Sequence, residues 1–267
     1  MRESSPADRL SCSVVVPVRD DAEHLRRLLA DLSEQTTAPD EVIVVDNGSR
    51  DESALLARRA GCVVVHETAP GIPAAAAAGY DAARGDLILR CDADSRLPAR
   101  WISAHLRSHS LAPDSVVLVT GPASFVMPRP WGALAAIVYL GAYMACAGAA
   151  LGHLPAFGTT MSMRRVWWER VRGEVSLSAE VHDDMDLSFR VAPDERVRWA
   201  WGVRVGMSPR ALRPGRLATL RGRRAVSTLR RNWVMQRPWE RWGARLGLCR
   251  ADRCVDDRSA APRGRRR

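Results

Sequence analysis

Two aspartates separated by one residue, Asp92 and Asp94, are the side chains whose type and spacing best suit chemistry. They follow the mainly apolar stretch 87–91, which is typical of a buried strand, and alternation along an extended chain puts both carboxylates on the same side. Such a pair can bind a hard divalent cation and, through it, a phosphate group. Because Asp-x-Asp pairs also occur in solvated loops, the pair alone leaves both interpretations open.

The segments before this pair predict how it is positioned. Continuous apolar, β-branched runs are typical of strands covered on both faces, and stretches with apolar residues at helical spacing separate them. The predicted strands lie at 13–18, 41–45, 62–66 and 87–91, and the predicted helices between them at 23–34, 52–60 and 74–83. This alternation predicts an α/β fold with a parallel, doubly wound sheet.

Acidic side chains gather where the predicted strands end. In a doubly wound sheet, ligands bind beyond the carboxyl ends of the strands. The positions that follow these strands carry Asp20, Asp21, Asp46, Asp92 and Asp94. Since a purely structural role gives no reason for acids to collect at one edge of a sheet, we expect a ligand site there.

Three segments at these strand ends resemble, in order and spacing, the family-2 glycosyltransferases of the GT-A fold. They are Ser-Val-Val-Val-Pro-Val-Arg-Asp-Asp at 13–21, Val-Val-Asp-Asn-Gly-Ser-Arg-Asp at 44–51, and 83–94, which begins Ala-Arg-Gly-Asp and ends Asp-Ala-Asp. The resemblance covers roughly residues 12–200. It implies a Rossmann-like, mostly parallel sheet flanked by helices, and inverting transfer of a sugar from a nucleotide-diphosphate donor, either a UDP- or a GDP-sugar.

The resemblance also implies a donor site. It implies a Mn²⁺ or Mg²⁺ ion held on the donor diphosphate by Asp92 and Asp94, with Asp46 near the nucleotide base. The other donor-binding groups that it implies at the first two strand ends are Pro17, Asp20, Asp21, Gly48 and Ser49. Carboxylates at these positions can accept hydrogen bonds from base N–H groups and ribose hydroxyls, which agrees with this assignment.

A second acidic cluster, Val-His-Asp-Asp-Met-Asp-Leu-Ser-Phe-Arg at 181–190, resembles the family's Glu-Asp-x-Asp-Leu-Ser-x-Arg stretch, with Asp183 in place of glutamate. By that match Asp184 is the catalytic base, which takes the proton of the acceptor hydroxyl, and Asp183 lies in the donor pocket. Gly158 opens a loop similar to the one that lines the sugar pocket in the family. By pattern alone, both segments also fit ordinary helix starts. The crowded carboxylates predict a raised pKa for at least one of them.

Charge is divided unevenly along the chain. Residues 1–120 hold 13 arginines and 18 acidic residues, whereas residues 204–245 hold 12 arginines and the single acid Glu240. Arginine interleaved with tryptophan suits anionic lipid headgroups, substrate phosphates or a nucleic-acid backbone. We expect a C-terminal helical basic extension that brings the enzyme to a lipid-linked or membrane-proximal acceptor, although a solvated basic face fits almost as well.

Residues 131–151 carry no charged side chain over 21 positions, a length that could span a bilayer. A lone span in the middle of a domain would split the site between two compartments. A buried or membrane-surface helix is therefore favoured over a transmembrane one.

These observations predict four parts of the chain: an N-terminal tail at 1–11, a glycosyltransferase domain at 12–203, a basic Arg/Trp-rich helical extension at 204–247, and a disordered tail at 248–267. Within the domain, 12–127 is expected to bind nucleotide and metal, and 128–203 to hold the acceptor and the catalytic base. The acceptor itself is not identified.

Two alternative functions remain. A nucleotide-sugar-binding module without catalysis is disfavoured by the intact Asp92, Asp94 and Asp184. A nucleic-acid-binding protein would rest on the basic extension, but the acidic first half would repel a polyanion. Six scattered cysteines without a CxxC pair, and an N-terminus without an apolar segment, predict a reduced cytoplasmic protein. The basic extension adds the expectation that the protein is peripheral on the inner face of the membrane.

Overall fold

The computed structural model describes residues 10–213 and 215–248. The two predicted tails, 1–11 and 248–267, therefore lie outside the described residues except at positions 10, 11 and 248. Seven of the described strands form one sheet and two form another, and helices cover both faces of the larger sheet.

The first half of the chain alternates strand and helix as predicted. Its elements are β1 (Cys12–Val18), α1 (Ala22–Ser33), β2 (Glu41–Asp46), α2 (Ser53–Arg59), β3 (Val63–His66), α3 (Ile72–Ala82), β4 (Leu87–Arg90) and α4 (Trp101–Ser110). For β1 to β4 and the three helices between them, the predicted bounds differ from these by at most two residues. The four strands pair in parallel in the order β3-β2-β1-β4, which places all their carboxyl ends at one edge.

The second half extends this sheet and adds a smaller one. Its elements are β5 (Val116–Thr120), β6 (Ala123–Phe125), α5 (Trp131–Leu151), β7 (Met161–Arg164), α6 (Arg165–Val171), α7 (Asp183–Ser188), β8 (Arg196–Trp199) and β9 (Val205–Met207). The complete order is β3-β2-β1-β4-β7-β5-β8, in which β7 runs antiparallel to both neighbours. The mostly parallel α/β sheet flanked by helices is therefore confirmed.

The core lies on both faces of the sheet, as the continuous apolar strands predict. In β1, Val14 and Val16 belong to one buried cluster and Val15 to the other. The alanine-rich α3 packs close to this sheet, since a side chain on Gly79 would collide with Val15 and Val45. Small side chains in α3 thus allow the helix to approach the strands whose ends form the site.

The predicted basic extension is helical. A single turn of 3₁₀ helix (Pro209–Leu212) leads to α8 (Arg216–Trp233) and α9 (Pro238–Arg245). Asn232 of α8 is buried and donates to Asp186 of α7 at 2.7 Å, and Arg241 of α9 donates to the carbonyl of Leu151 at 2.8 Å. The extension therefore packs against the domain through buried polar contacts, while the predicted boundary at residue 203 stays a prediction.

Candidate active site

A cavity of about 520 Å³ opens beyond the carboxyl ends of β1, β2 and β4. A second cavity of about 330 Å³ adjoins it and shares part of its wall. Of the predicted site residues, the larger cavity is lined by Pro17, Asp21, Asp92, Asp94, Gly158, Asp183 and Asp184. The fold thus brings together side chains that lie more than 160 positions apart in the chain.

The Asp-x-Asp pair forms one wall of both cavities. Asp92 accepts hydrogen bonds from Arg90 at 3.2 Å and from the Thr159 hydroxyl at 2.8 Å, and Asp94 accepts one from Arg210 at 2.9 Å. Burial raises the pKa of Asp92, an effect that the neighbouring Arg90 opposes and the charge of Asp94 reinforces. The two carboxylates therefore line the same cavity, but each is paired with a different arginine.

The acidic cluster of α7 also lines the larger cavity, through Asp183 and Asp184. Asp184 accepts a hydrogen bond from the backbone N–H of Gly158 at 2.9 Å, and its other oxygen accepts one from the Met185 N–H at 2.8 Å. These two bonds orient the carboxylate at the start of the helix. The raised pKa that crowding predicts falls on Asp183, where burial is the largest cause, the charge of Asp184 adds to it and Arg90 opposes it.

Arg90 connects the Asp-x-Asp pair to the acidic cluster of α7. It is 3% exposed, and its two terminal nitrogens donate to Asp183 at 2.5 Å and to Asp92 at 3.2 Å. Burial disfavours its charged form, but the carboxylates, chiefly that of Asp183, more than offset this and raise its pKa well above the ordinary value. Gly158 lies against the guanidinium, which leaves no room for a side chain at that position.

Arg210 enters the site from the C-terminal side. It follows Pro209 in the 3₁₀ turn, where Ser208 caps the backbone. One terminal nitrogen donates to Asp21 at 2.6 Å and to Asp94 at 2.9 Å, so that it joins the end of β1 to the Asp-x-Asp pair. These contacts, first of all the hydrogen bond to Asp21, raise the pKa of Arg210.

Four predicted donor-site residues lie beside the described cavity wall rather than in it. Asp46 is buried and accepts from the Ser49 N–H at 3.0 Å and from His66 at 3.2 Å. Asp20, which has a φ of 49°, donates its N–H to the Ser49 hydroxyl and accepts from the Arg50 N–H. With Gly48, whose φ is 74°, these residues tie the loops after β1 and β2 together. Their proposed contact with the nucleotide stays a prediction.

The sequence interpretation missed several cavity residues, namely Asn47, Arg90, Tyr139, Thr159, Arg210 and Arg224. A signal was available for Arg90, because a charged residue within a strand covered on both faces needs a buried partner. A signal was also available for Asn47, since it lies inside the family-like segment 44–51. It accepts from the Gly71 N–H at 2.8 Å and thereby holds the start of α3 at the cavity. Arg210 and Arg224 lie in the arginine-rich segment, where nothing in the local sequence distinguishes them from the other arginines.

The donor set of the site fits a divalent cation bound together with a diphosphate. Within residues 10–213 and 215–248 there is no group of three or more His, Cys, Asp or Glu side chains that could hold a metal ion alone. Asp92 and Asp94 offer carboxylate oxygens to the cavity. Mg²⁺ is commonly held by one or two carboxylates with phosphate oxygens and water, which is the set that these residues could complete.

Curated relatives match limited parts of the chain. An undecaprenyl-phosphate 4-deoxy-4-formamido-L-arabinose transferase of Pseudomonas fluorescens is 33% identical over 117 residues, which cover 40% of this chain and 34% of that protein. A TPR repeat-containing protein of Synechococcus elongatus is 43% identical over 86 residues, which cover 32% of this chain and 21% of that one. The chain thus spans about a third or less of the length of these relatives.

Solved structures match most of the chain. A mannosyltransferase from Pyrobaculum calidifontis, in complex with GDP-Man and Mn²⁺, is 18% identical with a TM-score of 0.58, covering 91% of this chain and 74% of that one. Glucosyl-3-phosphoglycerate synthase from Mycobacterium tuberculosis, in complex with Mg²⁺ and UDP, is 20% identical with a TM-score of 0.61, covering 85% and 80%. These likenesses confirm the GT-A fold.

The motifs, the fold and the cavity agree with the match to a family. The model of Glycosyl transferase family 2 matches residues 13–170, which is more than half of the chain. The chain therefore belongs to glycosyltransferase family 2.

Proposed function

We propose that this glycosyltransferase uses a divalent cation to move a sugar, with inversion, from a UDP- or GDP-sugar to an acceptor hydroxyl. The observation that carries the proposal is the meeting of Asp92, Asp94 and Asp184 in one cavity of about 520 Å³. That cavity lies at the strand ends where a doubly wound sheet binds its ligands. The similar solved structures hold GDP-Man with Mn²⁺ and UDP with Mg²⁺, which supports a nucleotide-sugar donor here.

The donor would lie along the edge of the sheet. Pro17, Asp21 and Asn47 line the part of the cavity formed by the ends of β1 and β2, where the nucleoside would bind. The diphosphate would lie by Asp92 and Asp94, which would hold Mn²⁺ or Mg²⁺. When bound, the cation would neutralise charge on the leaving diphosphate.

Asp184 is proposed as the base. Hydrogen bonds from the N–H groups of Gly158 and Met185 hold its carboxylate in place, so that it can accept the proton of the acceptor hydroxyl. The hydroxyl oxygen forms a bond to C1 of the sugar as the bond between C1 and the diphosphate oxygen breaks. The proton goes to Asp184, the electron pair leaves with the diphosphate, and Arg210 lies where it can meet that charge.

The acceptor is proposed to be lipid-linked or part of the cell envelope. The adjoining cavity of about 330 Å³ is lined by Leu220, Arg221 and Arg224, a mixture of apolar and cationic side chains that suits a phosphate on an apolar carrier. The similarity to an undecaprenyl-phosphate transferase supports this assignment. The corresponding location of the enzyme would be the inner face of the membrane.

The nucleic-acid alternative has weaker support. Several arginines of the extension have structural or cavity positions: Arg221 and Arg224 line a cavity, and Arg241 and Arg245 donate to main-chain carbonyls. These side chains are therefore not arranged as a free basic surface for a polyanion.

The test is a thermal-shift panel with UDP, GDP, CDP and dTDP, each with Mn²⁺ and with a chelator. One nucleotide should raise the melting temperature only with metal, because a ligand that binds the native state stabilises it. Asp94→Ala should abolish this metal-dependent shift. The absence of any shift in the unmodified protein would refute the donor site.

Asp184→Asn separates binding from catalysis. It should retain the nucleotide shift and lose transfer, which is measured as nucleoside diphosphate released with an acceptor present. The matched control is Asp114→Asn, whose side chain is fully exposed and pairs with Arg164 at 3.3 Å, and it should behave as the unmodified protein does. Normal turnover by Asp184→Asn would show that another group is the base.

A further inference from the structure

Helix α5 has one side inside the molecule and the other outside. Gly132 lies against the carbonyl of Phe125, Tyr143 donates to the carbonyl of Ala156 at 2.8 Å, and Leu140 and Leu151 are buried. Tyr139 lines both cavities of the candidate site. The inner side of α5 is therefore part of the core and of the site wall.

The outer side of α5 is apolar throughout. Ile137 is 68% exposed and Val138 is 73% exposed. The other exposed residues of the helix are Trp131, Ala133, Leu134, Gly141, Ala142, Ala145, Cys146 and Ala149. Over 21 residues, or about 30 Å of helix, no charged side chain interrupts this surface.

Helix α9 extends the same surface. The indole of Trp242 donates to the carbonyl of Ala149, an exposed residue of α5, at 2.9 Å. Trp239 and Leu246, one turn to either side of Trp242, are 64% and 63% exposed. We call the exposed face of α5 together with Trp239, Trp242 and Leu246 the apolar surface.

Exposed arginines accompany this surface. Arg129 lies two residues before α5, and Arg237 immediately precedes α9, where its guanidinium stacks over the Trp239 ring at 5.4 Å. Arginine and tryptophan around an apolar helix face are typical of proteins that lie in the interface of an anionic membrane.

The geometry of α5 decides between lying on a bilayer and crossing it. In the described residues, α5 is the one helix long and apolar enough to span a membrane, yet 28% of its most apolar window is buried in the molecule. A spanning position would remove Tyr139 from the site and break the Tyr143 bond. The helix can instead rest in the interface with its outer face in lipid.

We propose that the apolar surface docks on an anionic lipid bilayer and holds the protein there without crossing it. The opposite side of the same helix lines the site, so a lipid-borne group at the interface would lie next to the cavity. The docking itself does not depend on the proposed reaction. It deepens that proposal by stating which face meets the membrane.

Vesicle flotation tests the docking. We expect the full chain to float with phosphatidylcholine vesicles that contain phosphatidylglycerol, less with pure phosphatidylcholine, and less at high salt. Val138→Glu should weaken binding to the mixed vesicles about tenfold or more, because it places a charge in the middle of the lipid-facing side. The matched control is Val166→Glu on α6, where the valine is 64% exposed, and it should bind normally.

Three results would overturn the proposal. They are failure of the full chain to float, equal flotation of Val138→Glu and Val166→Glu, and a lipid-free dimer, seen by light scattering, that Val138→Glu converts to monomer. The last result would assign the surface to a second copy of the chain. The nucleotide thermal shift, measured without vesicles on the same variants, reports separately on the donor site and on folding.

Discussion

The two carboxylates of the Asp-x-Asp pair meet two very different arginines. Arg90 comes from the strand that leads into the pair, and 4% of its side chain is exposed, whereas Arg210 comes from the C-terminal side and 41% of its side chain is exposed. Arg90 joins Asp92 to Asp183 in the base cluster, and Arg210 joins Asp94 to Asp21 at the end of β1. One arginine thus belongs to the interior and the other to the mouth of the site.

The difference in burial indicates that the charge of Arg90 is needed for stability, whereas the charge of Arg210 can be removed at little cost. Removing one partner of a buried pair leaves an uncompensated charge, which is costly, whereas an exposed pair contributes little because water and salt screen it. Arg90 is therefore held by the fold between Asp92 and Asp183. We expect Asp94, whose arginine is accessible to solvent, to be the carboxylate that exchanges its arginine for a metal ion.

The largest expected effect is on the buried side. Arg90→Met should lower the free energy of unfolding by about 3–5 kcal/mol, because Asp183 would lose its buried cation. Urea denaturation followed by circular dichroism measures this change. The matched control is Arg27→Met, whose partner Glu23 lies on the exposed face of α1, and it should cost less than about 0.5 kcal/mol.

A second variant shows whether the charge is the cause. Adding Asp183→Asn to Arg90→Met should restore part of the lost stability, because the unpaired carboxylate is then neutral. If the double variant were as unstable as the sum of the two single variants, packing rather than charge would explain the role of Arg90.

An intermediate effect is expected where the backbone meets Arg90. Gly158→Ala should lower the free energy of unfolding by about 1–3 kcal/mol, because the added methyl group collides with the buried guanidinium. It should also weaken activity, since the same residue donates its N–H to Asp184. Gly173→Ala, where a methyl group meets nothing within 4 Å, is the control. Equal stability of the two variants would show that Arg90 can move aside.

The smallest effect on stability is expected at Arg210, at the mouth of the site. Arg210→Ala should change the free energy of unfolding by less than about 1 kcal/mol. Mn²⁺ binding without nucleotide, measured by electron paramagnetic resonance, should become tighter by at most about fivefold, because a competing cation is removed from Asp94. Arg172→Ala, which breaks an exposed pair with Asp81, should leave Mn²⁺ binding unchanged. Weaker Mn²⁺ binding in Arg210→Ala would contradict a competition at Asp94.

Local patterns were sufficient for the four strands β1 to β4 and for most of the acidic side of the site. The buried β-branched runs predicted β1 to β4, and because parallel strands end at one edge, the positions of Asp21, Asp92 and Asp94 followed from the strand order. These features depend on neighbours in the sequence or on the general rules of parallel sheets.

The cationic side could not be predicted in the same way. Arg90 lies 93 positions from Asp183, and Arg210 lies 116 positions from Asp94. Which arginine among many meets which acid depends on the packing of the C-terminal segment, and no local periodicity records it. The antiparallel strand β7 was also missed, although Gly158 and Thr159, which lie just before it in the chain, line the site.

The bond between Asn232 and Asp186 limits how the C-terminal helices of this chain could be replaced. Asp186 is 1% exposed and receives this side chain from α8 together with the N–H of Ser176. A chimaera that replaced α8 and α9 with helices from another protein would leave that carboxylate without its amide donor. Exchanging these two helices therefore requires transplanting Asn232 and Asp186 together.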